Sequence, residues 1–218
     1  MSKFKAAIFD FNGTLFWDTA FHDKAFDIML AKHGVSLTDE EKRFKIHGKT
    51  NPIILRGIFG EYLSDTEVHQ MGQDKEAIYR ELCMNDLKFA PGAVDLFNHF
   101  KNNGIPMTIA TSSGIENLSF YYENMGLSEW FEFEKVAYDN GTFKGKPNPD
   151  VFLIAAHKLG VNIQHSVVFE DSKAGIRAAE AADAGKIIIV NSYNDSFIEF
   201  QHQIITNFQQ VDRNMFKI

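Results

Sequence analysis

The apolar and polar positions of the chain follow two regimes. Four short apolar runs, over residues 4–10, 106–111, 166–170 and 186–191, are continuous rather than alternating, the pattern of strands covered on both faces. Between the later runs the apolar positions move to helical spacing. Val94, Phe97 and Phe100 recur at three-residue steps after Pro91, and Gly104, Gly126 and Gly160 each follow a helical segment where a left-handed C-terminal cap is expected. Asn148 before Pro149 predicts an N-cap and first helical residue, and Asp171-Ser172 opens one more helix. Strands and helices alternating with short links predict an α/β fold built on a doubly wound parallel sheet, Rossmann-like in layout.

Between Leu15 and Lys88 the strand pattern vanishes. Asp18 is placed to cap a first helix, Thr38 with Glu41 and Ser64 with Glu67 both spell capping boxes, and Asn51-Pro52 starts a short helix. The expected organisation is an α/β core of residues 1–15 and 89–218 with an inserted helical cap of residues 16–88. Because the insertion leaves after the first strand and returns before the second, it is expected above the carboxyl ends of the strands, where open α/β sheets take their ligands.

Composition narrows the partners. The formal net charge is −7 and no Lys/Arg-rich block occurs, which argues against nucleic acid and means that an anionic ligand must find local positive charge. No apolar run approaches the roughly 18 residues of a membrane span, and the opening MSKFKAAIF turns polar too soon for a signal peptide. Cys83 is the single cysteine, so an internal disulfide is excluded and a reducing, cytoplasmic setting is expected. The 21 phenylalanines are expected to fill the core. Oligomeric state leaves no mark on the sequence.

The candidate chemistry lies at strand ends. Asp10, Thr111 and the pair Glu170-Asp171 each stand at the C-terminal end of a predicted parallel strand, which gathers them on one edge of the sheet. Lys146, just before a helix start, can reach the same edge. Three clustered acids raise one another's pKa unless a cation neutralises them, and an all-oxygen set suits Mg²⁺. Thr111, Ser112 and the N–H groups of TSSG at a helix start form an anion site, with Lys146 adding positive charge.

Four segments, DFNGT at Asp10, IATSSG at Ile109, KGKPNPDVF at Lys144 and VVFEDSKAGIRAA at Val167, resemble the four motifs of the haloacid dehalogenase superfamily, most closely its β-phosphoglucomutase-like phosphatases with a helical cap. The resemblance implies a Mg²⁺-dependent phosphatase acting on a small phosphorylated metabolite, of the sugar-phosphate kind. It implies that Asp10 attacks phosphorus, that Thr111 hydrogen-bonds the phosphoryl group and that Lys146 holds the two together. Asp10, Glu170, Asp171 and the main-chain carbonyl of Asn12 would then hold the metal.

Asn12 departs from that pattern. The phosphatases of the superfamily carry a second aspartate there, which protonates the leaving oxygen and then takes a proton from water. Loss of a general acid/base costs about 10²–10⁴-fold in rate, so slow turnover is expected. A phosphotransferase of the β-phosphoglucomutase kind leans on the same aspartate and ranks lower, and a catalytically impaired phosphate-metabolite binding protein is the remaining alternative. His22, on the first cap helix, is the candidate substitute for the missing group. Asn51 and Lys75, also in the cap, are candidate contacts to the rest of the substrate. A second departure is local: Phe16 and Trp17 separate Leu15 from Asp18, where the superfamily has one residue.

Overall fold

The computed structural model describes residues 4–47 and 49–216; Met1–Lys3, at the head of the opening stretch, lie outside the described residues. Five strands, β1 (Ala6–Phe9), β2 (Met107–Ile109), β3 (Ser166–Glu170), β4 (Lys186–Val190) and β5 (Gln203–Ile205), form a parallel sheet in the order β2-β1-β3-β4-β5. Every residue of β1, β2 and β3 is buried, which is why those runs carry no polar alternation. Four strands were expected and a fifth is present. β5 escapes the pattern because it is three residues long, lies on the edge of the sheet and buries only Ile205.

Among the described residues, four α-helices belong to the inserted segment: α1 (Thr19–Ala31), α2 (Asp39–Lys45), α3 (Asn51–Phe59) and α4 (Asp65–Cys83). Four more flank the sheet: α5 (Ala93–Asn102), α6 (Ile115–Met125), α7 (Asp150–Leu159) and α8 (Lys173–Ala181). Both capping boxes form: the Thr38 and Ser64 side chains accept from the Glu41 and Glu67 backbones, and each glutamate reaches back. Gly126 and Gly160 end α6 and α7 in the left-handed region. Gly104 is left-handed as well, but lies one residue beyond the true cap, Asn103. Asn148 does not cap α7: Pro149 takes that place and Asn148 Nδ2 donates to the Gly145 carbonyl at 2.9 Å. No helix among the described residues is long and apolar enough to cross a membrane.

The chain divides into two compact units, Met1–Trp17 with Lys88–Ile218, and Asp18–Leu87. In the first, the Phe9 ring on β1 stacks on Phe169 of β3 at 4.7 Å and meets Phe97 and Phe131 edge-on, geometries that add to the area each ring buries. The chain leaves and re-enters this unit at a backbone hydrogen bond from Ala90 N–H to the Leu15 carbonyl, 2.7 Å. In the second, α1 packs along α4, and Phe26, Met29, Leu30, Ile54, Leu55 and Val68 form a separate apolar cluster. Phe44 is an exception to the core-filling role of the phenylalanines, being 74% exposed on α2.

Candidate active site

β1 delivers its apolar run to the sheet interior and then releases Asp10 at its carboxyl end, where the backbone turns sharply. Gly13 makes that turn possible. Its φ is +79°, and a Cβ there would overlap the Asp171 carboxylate, so the turn and the acidic residue share one space that only glycine leaves open. The Gly13 N–H closes the turn on the Phe16 carbonyl at 2.7 Å. Thr14 follows and donates its hydroxyl to Asp171 Oδ1 at 3.0 Å. The end of β3 is shaped similarly. Ser172 caps α8 by accepting from Gly175 N–H, and a side chain at Gly175 would collide with the Glu170 carboxylate.

The sheet order places β1 beside β3, and their acids converge. Ligand oxygens of Asp10, Glu170 and Asp171 lie within 4.8 Å of one another. Lys146, from the loop before α7, bridges two of them, with Nζ 2.5 Å from Asp10 Oδ1 and 2.6 Å from Glu170 Oε1. It also lies over the Phe152 ring at 5.1 Å. Glu170 additionally accepts the Ser172 N–H. One ammonium thus faces three carboxyls in a buried setting.

Titration reflects that imbalance. Burial, reinforced by Glu170, lifts the Asp10 carboxyl to about 7 against the opposing pull of Lys146. Burial and the neighbouring Glu170 and Asp10 also raise Asp171 well above the ordinary carboxylate range. Burial works against the Lys146 charge, yet the two carboxylates outweigh it and hold that ammonium above the usual lysine range. A second, harder positive charge is what the cluster lacks. The donor set, three carboxylates, is all oxygen and fits Mg²⁺.

Thr111, buried after β2, accepts the Ser113 N–H on Oγ1 at 3.0 Å, while Ser112 is exposed. Asn12 is gripped by two groups that sequence reasoning missed. Its Oδ1 accepts from the Ser113 hydroxyl at 2.7 Å and its Nδ2 donates to the Tyr121 hydroxyl at 2.8 Å. Tyr121 itself stacks on Phe11 at 4.3 Å. TSSG does not reveal which serine turns inward, and a tyrosine inside α6 carries no signal beyond helical periodicity.

His22, Asn51 and Lys75 belong to the other unit, where they join one polar chain. Asn51 Nδ2 donates to Glu76 Oε1 at 2.8 Å; Lys75 Nζ donates to the same oxygen at 2.9 Å and contacts His22 Nδ1 at 2.6 Å. His22 Nε2 lies 3.3 Å from Asp18 Oδ2, and the ring stacks on Tyr79 with centroids 3.9 Å apart. This assigns Nδ1 as acceptor and Nε2–H as donor. Asp18, expected as a helix cap, makes no capping hydrogen bond and instead accepts the Tyr79 hydroxyl at 2.5 Å. Burial lowers the Lys75 ammonium pKa despite Glu76.

Comparison with known proteins places this geometry. A family model described as haloacid dehalogenase-like hydrolase matches residues 4–183. The crystal structure of a HAD hydrolase of family IA, variant 3, from Entamoeba histolytica is similar with a TM-score of 0.90 and 35% identity, over 97% of this chain and 96% of that one. The phosphorylated carbohydrates phosphatase of Thermotoga maritima is 26% identical, covering 88% of each chain. A β-phosphoglucomutase from Clostridium difficile shares the fold, with a TM-score of 0.82 and 24% identity over 97% of this chain and 94% of that one.

Proposed function

Because the chain belongs to the haloacid dehalogenase-like hydrolases, we propose that it is a Mg²⁺-dependent phosphatase of a small phosphorylated metabolite, with Asp10 as nucleophile. The observation that carries this reading is the Lys146 bridge between Asp10 and Glu170, with Asp171 completing an acidic cluster. The name of the Thermotoga relative points to a phosphorylated carbohydrate as the substrate class.

In this reading one Asp10 oxygen attacks phosphorus while Lys146 keeps the carboxylate aimed and offsets the phosphate charge. Thr111 Oγ1 already accepts the Ser113 N–H, so its own proton is the one it gives to a phosphoryl oxygen. Ser112 stands at the approach to α6 and presents its N–H and hydroxyl to the same anion. Asp10, Glu170, Asp171 and the Asn12 carbonyl would hold Mg²⁺. When bound, the ion supplies charge neutralisation between the carboxylates and the phosphoryl oxygens. In the cap unit, Asn51, Lys75 and His22 are candidate substrate contacts, joined there in one polar chain through Glu76. Asn12 keeps the shape of an aspartate without its proton, which slows both halves of the reaction.

The test is phosphate release from a panel of phosphorylated sugars, with and without EDTA, in this protein and in Asn12→Asp. Metal-dependent release that rises about 10²–10⁴-fold in Asn12→Asp supports the phosphatase. Ligand-induced stabilisation without release in either protein identifies a binding protein instead.

A further inference from the structure

Asn12 stands two residues past the nucleophile with both ends of its amide held inside the core unit, by the Ser113 hydroxyl and the Tyr121 hydroxyl. A carboxamide neither releases a proton to a leaving group nor takes one from water near neutral pH. In the cap unit, the His22 ring nitrogens face Lys75 and Asp18, so that imidazole is already engaged as donor and acceptor. Lys146 is bound between two carboxylates. The position two residues past Asp10, which Asn12 fills, is therefore held in place and carries no proton with which to remove the phosphoryl group again.

We propose that Asp10 is a site of long-lived phosphorylation, loaded by small phosphate donors whose leaving group departs as a stable anion, such as acyl and aryl phosphates. The proposal rests on the phosphatase reading and narrows its substrate. In the loading step an Asp10 oxygen forms a bond to phosphorus as the bond from phosphorus to the leaving oxygen breaks, and that oxygen keeps the electron pair. A carboxylate or phenolate leaves in that form, whereas the alkoxide of an ordinary sugar phosphate needs a proton that Asn12 does not have. In the release step the water oxygen bonds to phosphorus, the pair of the breaking bond returns to the Asp10 carboxylate, and the proton of the water passes to solvent. The leaving group there is itself a carboxylate, so the slow event is removal of that proton.

The experiment is intact-protein mass spectrometry after incubation with Mg²⁺ and acetyl phosphate, p-nitrophenyl phosphate or glycerol phosphate, followed by removal of the donor. Hydroxylamine cleavage and an Asp10→Asn variant locate the adduct. The expected result is one added phosphoryl group from the first two donors and none from the third. The adduct persists after the donor is removed and is absent in Asp10→Asn. In Asn12→Asp its lifetime falls by about 10²–10⁴-fold, with release of phosphate from all three donors. Steady turnover of any donor by the unmodified protein without an adduct overturns the proposal. So does an unmodified protein inert to all three beside an active Asn12→Asp, an outcome that leaves the phosphatase reading standing. Inertness of both proteins, with circular dichroism unchanged, removes the two together.

Discussion

Gly13 shows how much of the site rests on one missing side chain. Its left-handed backbone costs an L-residue about 1–2 kcal/mol, and an added methyl group would meet the Asp171 carboxylate. Gly13→Ala is therefore expected to lower the melting temperature and, by displacing Asp171, to weaken the stabilisation that the proposed Mg²⁺ site predicts on adding MgCl₂; melts with and without MgCl₂ check both. At this scale the sequence was legible where chemistry and strand ends coincide. Asp10, Glu170 and Asp171 close apolar runs, and Lys146 precedes a helix at a spacing that the resemblance also marks. Legibility ended where direction matters: Ser112 and Ser113 are indistinguishable as letters, yet one faces solvent and the other holds Asn12. Tyr121 is silent for the same reason, since the partner of its hydroxyl lies 109 residues away.

Elements obey local rules until tertiary contacts compete. The capping boxes of α2 and α4 were readable because donor and acceptor lie three residues apart in the chain. Ser64→Ala should cost about 1 kcal/mol, a fall in the protein's melting temperature of roughly 2–4 °C, measurable by calorimetry. Asp18 is a capping residue type but has Phe21 where a box needs glutamate, and Tyr79 and His22, 61 and four residues on, take its carboxylate instead. β5 was invisible because an edge strand with two exposed residues of three has no apolar run to read. The other four strands were visible because nearly all of their residues are buried.

The whole molecule carries the charge imbalance of its site as a pH dependence. Asp10, near 3.8 in an unfolded chain, titrates at about 7 in the fold. Between those values the folded state keeps a proton that the unfolded state has released. Stability contributed by that proton is full below about pH 4 and is lost as pH rises through about 7; the raised Asp171 acts in the same direction. Metal-free protein should thus melt at lower temperature at pH 8 than at pH 5. Added Mg²⁺ should restore most of the difference at pH 8 and little at pH 5, which differential scanning fluorimetry resolves.

The hydrogen bond from Ala90 to Leu15 has a reach beyond the turn it closes. It fastens the two points at which the intervening chain departs and returns, so the strand bearing Asp10 and the segment leading to β2 are tied to each other by the core's own backbone. Everything between is topologically a cassette. The core should accept a short linker or a foreign insert there without re-registering a strand, since β1 and the segment leading to β2 stay joined to each other whatever lies between.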